Sequence, residues 1–234
     1  MSKNHFPKGS HLSKRFPKKT LKGFYDEAAK RKGGFYSRPG GLAEKLQNLV
    51  LRMVINALQN RSLLLDVGCG RGRYLVPLVE HGVTYVGLDS SKEMLKIAKS
   101  NIDPLAEPSF FLVQGDLEHL PFANSSFDSA ICIDVLHLFT SKNSRKKVVG
   151  ELMRALKPNG EIVVEIKNKL NFVFWWVLSK TNPPGMVQPV TPMEMKFYLK
   201  TIGFNSVQAK GVMFLSPWLS PLVILKASRQ GSKE

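Results

Sequence analysis

The stretch "LLLDVGCGRG", residues 63–72, combines three leucines, one carboxylate and three glycines at alternate positions. The leucines predict a buried strand, and Asp66 lies where that strand ends. Gly68, Gly70 and Gly72 permit backbone conformations that other residues rarely adopt, and they let a ligand approach the main chain closely. Because ligands of open α/β sheets bind at the carboxyl ends of the strands, this stretch predicts a binding loop.

The segments on either side of this loop alternate between short apolar runs and helical periodicity. Near-continuous apolar strands that alternate with helices indicate a parallel sheet covered on both faces. Two last strands, joined by a short turn, favour an antiparallel pair. The predicted fold is α/β, a Rossmann-like, seven-stranded, mostly parallel sheet with helices on both faces and an antiparallel C-terminal strand. The predicted strands are 62–67, 84–89, 109–116, 127–134, 161–166, 205–214 and 220–228, and the predicted helices are 41–59, 73–81, 90–99, 143–156 and 192–202.

Three local signals predict where individual elements begin or end. Pro77 lacks a backbone N–H, so it predicts a kink or a late start of the second helix. Ser90 and Glu93 have the spacing of a capping box for the third helix. The sequence "KPNG" at 157–160 predicts a turn before the fifth strand.

Composition and charge divide the chain into two parts. The 234 residues suffice for one sizeable core. The net charge is +16, and residues 1–40 hold 11 basic residues against 2 acidic ones. We therefore predict a basic, partly disordered N-terminal extension at 1–40 and one globular domain at 41–234. The extension has three interpretations: a solvated tail, a surface that binds nucleic acid or lipid headgroups, or an organelle-targeting sequence.

Other sequence features narrow the class of protein. No run approaches the ~20 apolar residues that a membrane-spanning helix needs, and the N-terminus lacks an apolar signal segment. Cys69 and Cys132 predict neither a disulfide framework nor a metal site. These features are typical of a cytoplasmic protein without a bound metal, with targeting by the basic extension left open. They do not predict an oligomeric state.

Four predicted strands end in an aspartate: Asp66, Asp89, Asp116 and Asp134. Each aspartate alone could cap the element that follows it. Asp89, at the tip of the second strand, is placed to accept hydrogen bonds from ribose hydroxyls. An acidic rim repels phosphates and attracts a cation, and the glycine spacing differs from the G-x-G-x-x-G of dinucleotide sites. A positively charged nucleoside such as S-adenosylmethionine therefore fits this edge better than a dinucleotide does.

Four stretches resemble the successive motifs of class I S-adenosylmethionine-dependent methyltransferases. They are "LLLDVGCGRGRYL", "YVGLDSS", "QGDLEHLPFANSSFDSAICIDVLHLF" and "ELMRALKPNGEIVVEI", and together they cover roughly residues 62–166. The subgroup with the most similar motifs contains the ubiquinone and menaquinone biosynthesis methyltransferases. The resemblance implies S-adenosylmethionine as the cofactor. It implies these cofactor-binding residues: Asp66, Gly68, Cys69, Gly70, Asp89, Ser90, Met94, Asp116, Leu117, Ile133 and Asp134.

The resemblance also implies a role for each group of these residues. The glycine loop would hold the methionine and ribose part, and Asp89 would accept from the ribose hydroxyls. Ser90 and Met94 would flank the nucleoside, and Asp116 with Leu117 would contact adenine. Ile133 and Asp134 would close the pocket beneath the methyl group. This chain has "VLHL" at 135–138 where the family often has "VLHH", so chemistry that uses the second histidine is not expected.

The acceptor side of the predicted site is less defined. His137 is a candidate base because histidine titrates near neutrality, although it could equally be a packed histidine. Residues 168–190 are a candidate substrate cap, in which Trp175 and Trp176 form an apolar wall or simply cover the sheet. Tyr25 and Tyr36 could fold over the same opening.

We therefore predict an S-adenosylmethionine-dependent methyltransferase that acts on a small, hydrophobic acceptor. Alignment of acceptor, methyl group and sulfur is the main requirement of such an enzyme, and no metal is needed. Two other hypotheses stay open: a tRNA methyltransferase that binds RNA through its basic extension, and a non-catalytic protein that binds S-adenosylmethionine.

Overall fold

A computed structural model of the chain describes residues 26, 29, 42–58, 63–102, 109–172, 187–213 and 216–231. Most of the predicted N-terminal extension lies outside the described residues, although Asp26 and Ala29 are helical. Most of the predicted cap, including Trp175 and Trp176, also lies outside them, as do Tyr25 and Tyr36.

The described residues form one seven-stranded sheet in the order β3-β2-β1-β4-β5-β7-β6. Strands β1 to β5 pair in parallel, and β7 runs antiparallel to both β5 and β6. The predicted mostly parallel sheet with an antiparallel C-terminal strand is confirmed. The strands are β1 Leu63–Val67, β2 Thr84–Asp89, β3 Phe110–Gln114, β4 Phe127–Cys132, β5 Leu156–Lys167, β6 Phe204–Gly211 and β7 Leu222–Arg229; the helices are α1 Leu42–Leu58, α2 Leu75–Glu80, α3 Lys92–Ser100, α4 Lys142–Ala155 and α5 Pro192–Thr201.

Both faces of the sheet are covered by helices. Successive strand residues point to opposite faces. Leu64 therefore packs in an apolar layer with α1, α2 and α3, whereas Leu65 packs in a second layer with α4 and α5. Both leucines are fully buried. Because helices cover both faces of the sheet, the loops at the carboxyl ends of the parallel strands are the remaining place for a binding site.

The ends of two helices are close to those predicted. Helix α2 begins at Leu75, so Pro77 lies in its first turn. The N–H groups of a first turn have no intrahelical acceptor, so the missing N–H of proline loses no helical hydrogen bond there. The predicted late start is confirmed. Helix α3 is capped by Ser91, whose Oγ accepts from the Met94 N–H at 3.2 Å. The predicted cap at Ser90 is therefore wrong by one residue.

The predicted turn at 157–160 is instead part of β5. This part of β5 pairs with β4 through a register shift between Phe127 and Ser129, and Asn159 has φ +63°. A bulge thus absorbs the turn-forming residues without ending the strand. Strands β3 and β4 end earlier than predicted, so Asp116 and Asp134 each lie two residues beyond a strand.

The strand order reverses between β1 and β4, and ligands of such sheets bind in the crevice beside this position. The loops that follow these two strands pack directly on each other. A Cβ atom on Gly68 would lie 2.4 Å from Cγ2 of Val135. Within the described ranges, no helix has the length and apolarity that crossing a bilayer requires.

Candidate functional site

The glycine loop after β1 has a left-handed backbone that glycine favours. Gly68, Gly70 and Gly72 have φ of +78°, +54° and +72°. The N–H groups of Gly68 and Cys69 donate to the Leu88 carbonyl at 2.7 and 3.1 Å, which fixes the loop against β2. A Cβ atom on Gly70 would meet no atom within 4 Å. The loop thus presents bare backbone to open space at the edge of the sheet.

Asp89, the last residue of β2, connects this loop to helix α3. Its Oδ2 accepts from the Gly70 N–H and its Oδ1 from the Ser91 N–H, both at 2.9 Å. Burial raises the pKa of the Asp89 carboxyl, the two N–H donors oppose this rise, and nearby Asp26 adds to it. Each carboxylate oxygen can accept a further hydrogen bond, so Asp89 can still receive ligand hydroxyls.

Asp66 lies near the end of β1, directly before the glycine loop. Its side chain is buried, and Tyr85 Oη donates a short hydrogen bond to Asp66 Oδ2. Burial raises the pKa of Asp66 to about 7, although the Tyr85 hydroxyl lowers it. Asp66 therefore makes a structural hydrogen bond with Tyr85 that the sequence did not predict. This contact is additional to the cofactor contact that the resemblance implies.

Replacement of Asp66 by asparagine is expected to change how stability depends on pH. The pKa of Asp66 is about 7 in the folded chain and near 3.8 in the unfolded chain, so the folded state holds the proton more tightly. Its stabilising contribution is complete below about pH 4 and is lost as the pH rises through about 7. Relative to Asp66→Asn, the wild type should lose a few kcal/mol over this interval, measured by urea unfolding at a series of pH values.

Tyr85→Phe is the companion variant. Because the tyrosine hydroxyl lowers the pKa of Asp66, its removal should shift the loss of stability to higher pH. Parallel pH profiles for the wild type and Asp66→Asn would show that Asp66 does not titrate in this interval.

The loop after β3 reaches the same edge of the sheet. Gly115 N–H donates to the Asp89 carbonyl at 3.1 Å. The Asp116 carboxylate is largely exposed and accepts from His119 Nδ1 and from the Glu118 N–H, both at 2.9 Å. The hydrogen bond to His119 lowers the pKa of Asp116. Leu117 is buried in the apolar layer that contains Leu88.

A buried group of charged side chains lies at the carboxyl ends of β4 and β5. Lys167 Nζ lies 2.7 Å from Asp134 Oδ1 and 2.8 Å from Glu165 Oε1. Burial raises the pKa of Asp134, but Lys167 and His137 outweigh it and the net pKa is lowered. Burial raises the pKa of Glu165. Asp134 has φ +62°, a conformation rare outside glycine and asparagine. The ion pair between Lys167 and Asp134 thus stabilises a rarely adopted backbone conformation in the loop after β4.

His137 is buried beside this charged group. Burial and Lys167 lower its pKa to about 3, while Asp134 opposes the shift. The imidazole is therefore neutral near pH 7. Its Nε2 lies 3.8 Å from Asp134 Oδ1, and its Nδ1 has no hydrogen-bond partner within the described part of the chain. The His137 carbonyl accepts from the Gln188 N–H at 2.7 Å, which connects the two segments.

Three residues at this edge were missed by the sequence analysis. Asp26 accepts a hydrogen bond from Ser91 Oγ, which brings part of the N-terminal extension to the end of β2. Its only sequence signal is that Asp26 and Glu27 are the two acids of residues 1–40. Glu165 and Lys167 are charged residues two positions apart at the end of β5. The same pattern is typical of an ordinary exposed strand end, so it did not predict a site.

The structure brings most predicted cofactor residues to one edge. Gly68, Gly70 and Asp89 are in direct contact with one another or with β2, and the Ser90 carbonyl accepts from Gln114 Nε2 at 3.2 Å. The side chains of Cys69, Met94 and Ile133 are buried. Tyr25, Tyr36, Trp175 and Trp176 are the predicted acceptor residues that lie outside the described part of the chain.

Comparisons with known proteins find similarity chiefly in the central part of the chain. Residues 65–164 match a family model described as a methyltransferase domain. A tRNA (carboxymethyluridine(34)-5-O)-methyltransferase of Arabidopsis thaliana is 26% identical over 166 residues, or 69% of this chain and 36% of that protein. A demethylmenaquinone methyltransferase of Renibacterium salmoninarum is 35% identical over 101 residues, or 43% of this chain and 39% of that protein. This chain thus covers well under two thirds of either relative.

A solved structure extends the similarity to most of the fold. Magnesium protoporphyrin IX methyltransferase from Synechocystis PCC 6803, determined with bound SAH, superposes with a TM-score of 0.62 at 19% identity. The superposition covers 83% of this chain and 90% of that chain. The chain therefore has the fold of S-adenosylmethionine-dependent methyltransferases.

Proposed function

We propose that this chain, with its methyltransferase domain at residues 65–164, transfers a methyl group from S-adenosylmethionine to an acceptor molecule. The observation that carries the proposal is the pairing of Gly70 with Asp89 at the carboxyl edge. The backbone at Gly70 faces open space, and its N–H donates a hydrogen bond to the half-buried Asp89 carboxylate. These two features fit a nucleoside that carries hydroxyl groups and a positive charge.

The residues that would hold the cofactor are those that the resemblance implies. Gly68 and Gly70 would lie against its methionine and ribose part, and Asp89 would accept from its ribose hydroxyls. Ser90 and Met94 would flank its nucleoside, Asp116 and Leu117 would contact its adenine, and Ile133 and Asp134 would close the pocket beneath its methyl group. Asp66 and Cys69 complete the set. When bound, S-adenosylmethionine supplies an activated methyl group on a sulfonium centre. The contribution of the chain is to orient the acceptor and exclude water.

Asp26 is expected to contribute to cofactor affinity. Its carboxylate bonds to Ser91, and Ser91 in turn donates its N–H to Asp89. Asp26→Ala should weaken S-adenosylmethionine binding by about 1 kcal/mol in isothermal titration calorimetry, because one hydrogen bond that orders this rim is lost. Glu93→Ala is the control, since Glu93 lies in the first turn of the same helix and pairs with exposed Lys96. Equal affinities for both variants would contradict the role of Asp26.

His137 is the proposed base for acceptors that must lose a proton. Its imidazole is neutral and its Nδ1 has no hydrogen-bond partner in the described part of the chain, but burial and the lowered pKa make it a weak base. Because its pKa is lowered to about 3, His137 would stay unprotonated from about pH 5 to pH 8, and activity should show no histidine titration there.

We propose a small, hydrophobic acceptor, as in the menaquinone relative. The chain continues from Lys167 and Asn168 into "KLNFVFWWVL", residues 169–178, an unusually apolar sequence for a segment that leaves the site edge. Trp175 and Trp176 would form a wall of the acceptor pocket, and Tyr25 and Tyr36 would approach from the N-terminal segment. We propose a cytoplasmic location, with organelle targeting by the basic extension as the alternative.

A tRNA acceptor is the second candidate. Two observations favour it: the relative from Arabidopsis thaliana, and the 11 basic residues of the N-terminal extension. RNA binding that depends on this extension should weaken steeply with salt, because phosphate contacts release counterions. Deletion of residues 1–22 should then remove binding to bulk tRNA.

The experiment that separates these candidates uses S-adenosylmethionine labelled in its methyl group. The purified chain is incubated with separate lipid, small-molecule, RNA and protein fractions of a lysate. Label in the lipid or small-molecule fraction supports the hydrophobic acceptor, and label in RNA supports the tRNA acceptor. Cofactor binding by calorimetry without S-adenosylhomocysteine formation in any fraction would instead support a non-catalytic binding protein.

A further inference from the structure

An exposed apolar surface lies beside the site, at the end of β5. Five of the nine large apolar side chains that are exposed in the described part of the chain belong to residues 170–172 and 213–219. Phe172 and Leu219 have 76% and 65% of their surface exposed. We call this surface the apolar corner, and its members are Leu170, Phe172, Met213, Trp218 and Leu219.

Hydrogen bonds from buried or backbone groups fix the conformation of the apolar corner. The Asn168 side chain is 1% exposed, and its Nδ2 lies 3.1, 3.1 and 2.9 Å from the carbonyl oxygens of Pro217, Trp218 and Ser220. Asn171 Nδ2 donates to the Leu219 carbonyl at 2.8 Å. These contacts join the two segments of the corner to each other and hold Trp218 and Leu219 in a loop that leaves them exposed.

The buried Ser220 hydroxyl completes the arrangement. It accepts from the N–H groups of Val212 and Met213 and donates to the Leu222 carbonyl. A loop that only connected β6 to β7 would be expected to place its large apolar side chains against the core. Here the polar Ser220 is fully buried, while Met213, Trp218 and Leu219 are exposed.

The part of the chain that contains the corner has an excess of basic residues. Residues 41–165 contain fourteen basic and fourteen acidic residues, whereas residues 166–234 contain nine basic and two acidic ones. No acid occurs between Glu165 and Glu194 or between Glu194 and Glu234. Lys169 is exposed and directly precedes Leu170 of the corner. The corner, which lies in this basic part of the chain next to exposed Lys169, therefore suits an anionic surface better than a cationic or neutral one.

We propose that the apolar corner docks on an anionic lipid bilayer. Leucine, methionine, phenylalanine and tryptophan side chains partition into the boundary between headgroups and acyl chains, while lysines bind anionic headgroups. Three of the five side chains are aliphatic and offer no ring to stack on a base, which favours a lipid over RNA. The inference rests on the proposed hydrophobic acceptor, which such docking would bring to the site from the membrane.

Vesicle flotation of the full chain tests this proposal without measuring methyl transfer. We expect the wild type to float with phosphatidylglycerol–phosphatidylcholine vesicles, and to float less with phosphatidylcholine alone. The double variant W218S/L219S removes two exposed apolar side chains and leaves the charge unchanged, so its affinity for anionic vesicles should fall about tenfold or more. The control L49S/F111S replaces two exposed apolar side chains on α1 and β3, and should float as the wild type does.

Other outcomes would overturn the proposal. Equal flotation of W218S/L219S and wild type would mean that charge alone binds the vesicles. Loss of thermal stability in W218S/L219S without loss of flotation would show that the chain itself covers the corner. A dimer that this variant abolishes, or binding to bulk tRNA without flotation, would assign the surface to a second copy or to RNA. Calorimetry with S-adenosylmethionine tests the proposed enzyme separately, because neither serine replacement lies in the cofactor site.

Discussion

Valine in place of Gly70 is expected to abolish S-adenosylmethionine binding while the protein stays folded. Gly70 has φ +54°, a backbone conformation that β-branched residues very rarely adopt. No atom lies within 4 Å of its would-be Cβ, so the Cβ of the valine meets no steric clash. The added side chain would occupy the space that the proposed cofactor requires. Calorimetry should show no measurable binding, and the circular dichroism spectrum should be largely unchanged.

Gly82→Val is the matched control for this variant. Gly82 also has a left-handed backbone, with φ +78°, and its would-be Cβ also meets nothing within 4 Å. It lies in the turn between α2 and β2, at the opposite edge of the sheet from the glycine loop. Both variants should lose about 1–2 kcal/mol of stability from backbone strain. Only Gly70→Val should lose the cofactor, and wild-type affinity in that variant would remove the loop from the site.

Alanine in place of Asp89 should weaken S-adenosylmethionine binding by about 1.5–3 kcal/mol, the usual contribution of hydrogen bonds to a charged group. Two effects combine in this variant. The ribose hydroxyls lose their proposed acceptor, and the N–H groups of Gly70 and Ser91 lose the carboxylate that orders them. The affinity is measured by calorimetry, and the stability by urea unfolding.

Asp128→Ala separates the binding effect from the structural one. Asp128 is also an aspartate that accepts a backbone N–H, from Leu63 at 3.0 Å, and it pairs with Lys157 at 2.8 Å. It lies near the start of β4, at the edge of the sheet away from the glycine loop. Both variants should be less stable than the wild type, but Asp128→Ala should keep its cofactor affinity. A similar loss of affinity in both variants would show that Asp89 acts only through stability.

Contacts between distant segments determine much of the candidate site. Ser91 and Asp26 are 65 residues apart, and no periodicity or local motif relates them. The pairing of Lys167 with Asp134 depends on β5 lying beside β4, which the sheet order decides. His137 could be predicted as a candidate base from its position after β4, but its lowered pKa comes from burial and from Lys167. Sequence spacing contains none of this information.

The sequence by itself determined the features that depend on neighbouring residues. Apolar runs and helical periodicity predicted the strands and helices, and three alternating glycines with Asp89 23 residues after Asp66 predicted the binding edge. Only the tertiary structure decided which carboxylate is buried against Tyr85, which is exposed beside His119, and which pairs with Lys167. The physical reason is that propensity and periodicity act over a few residues, whereas burial and ion pairing depend on which strands become neighbours in the folded sheet.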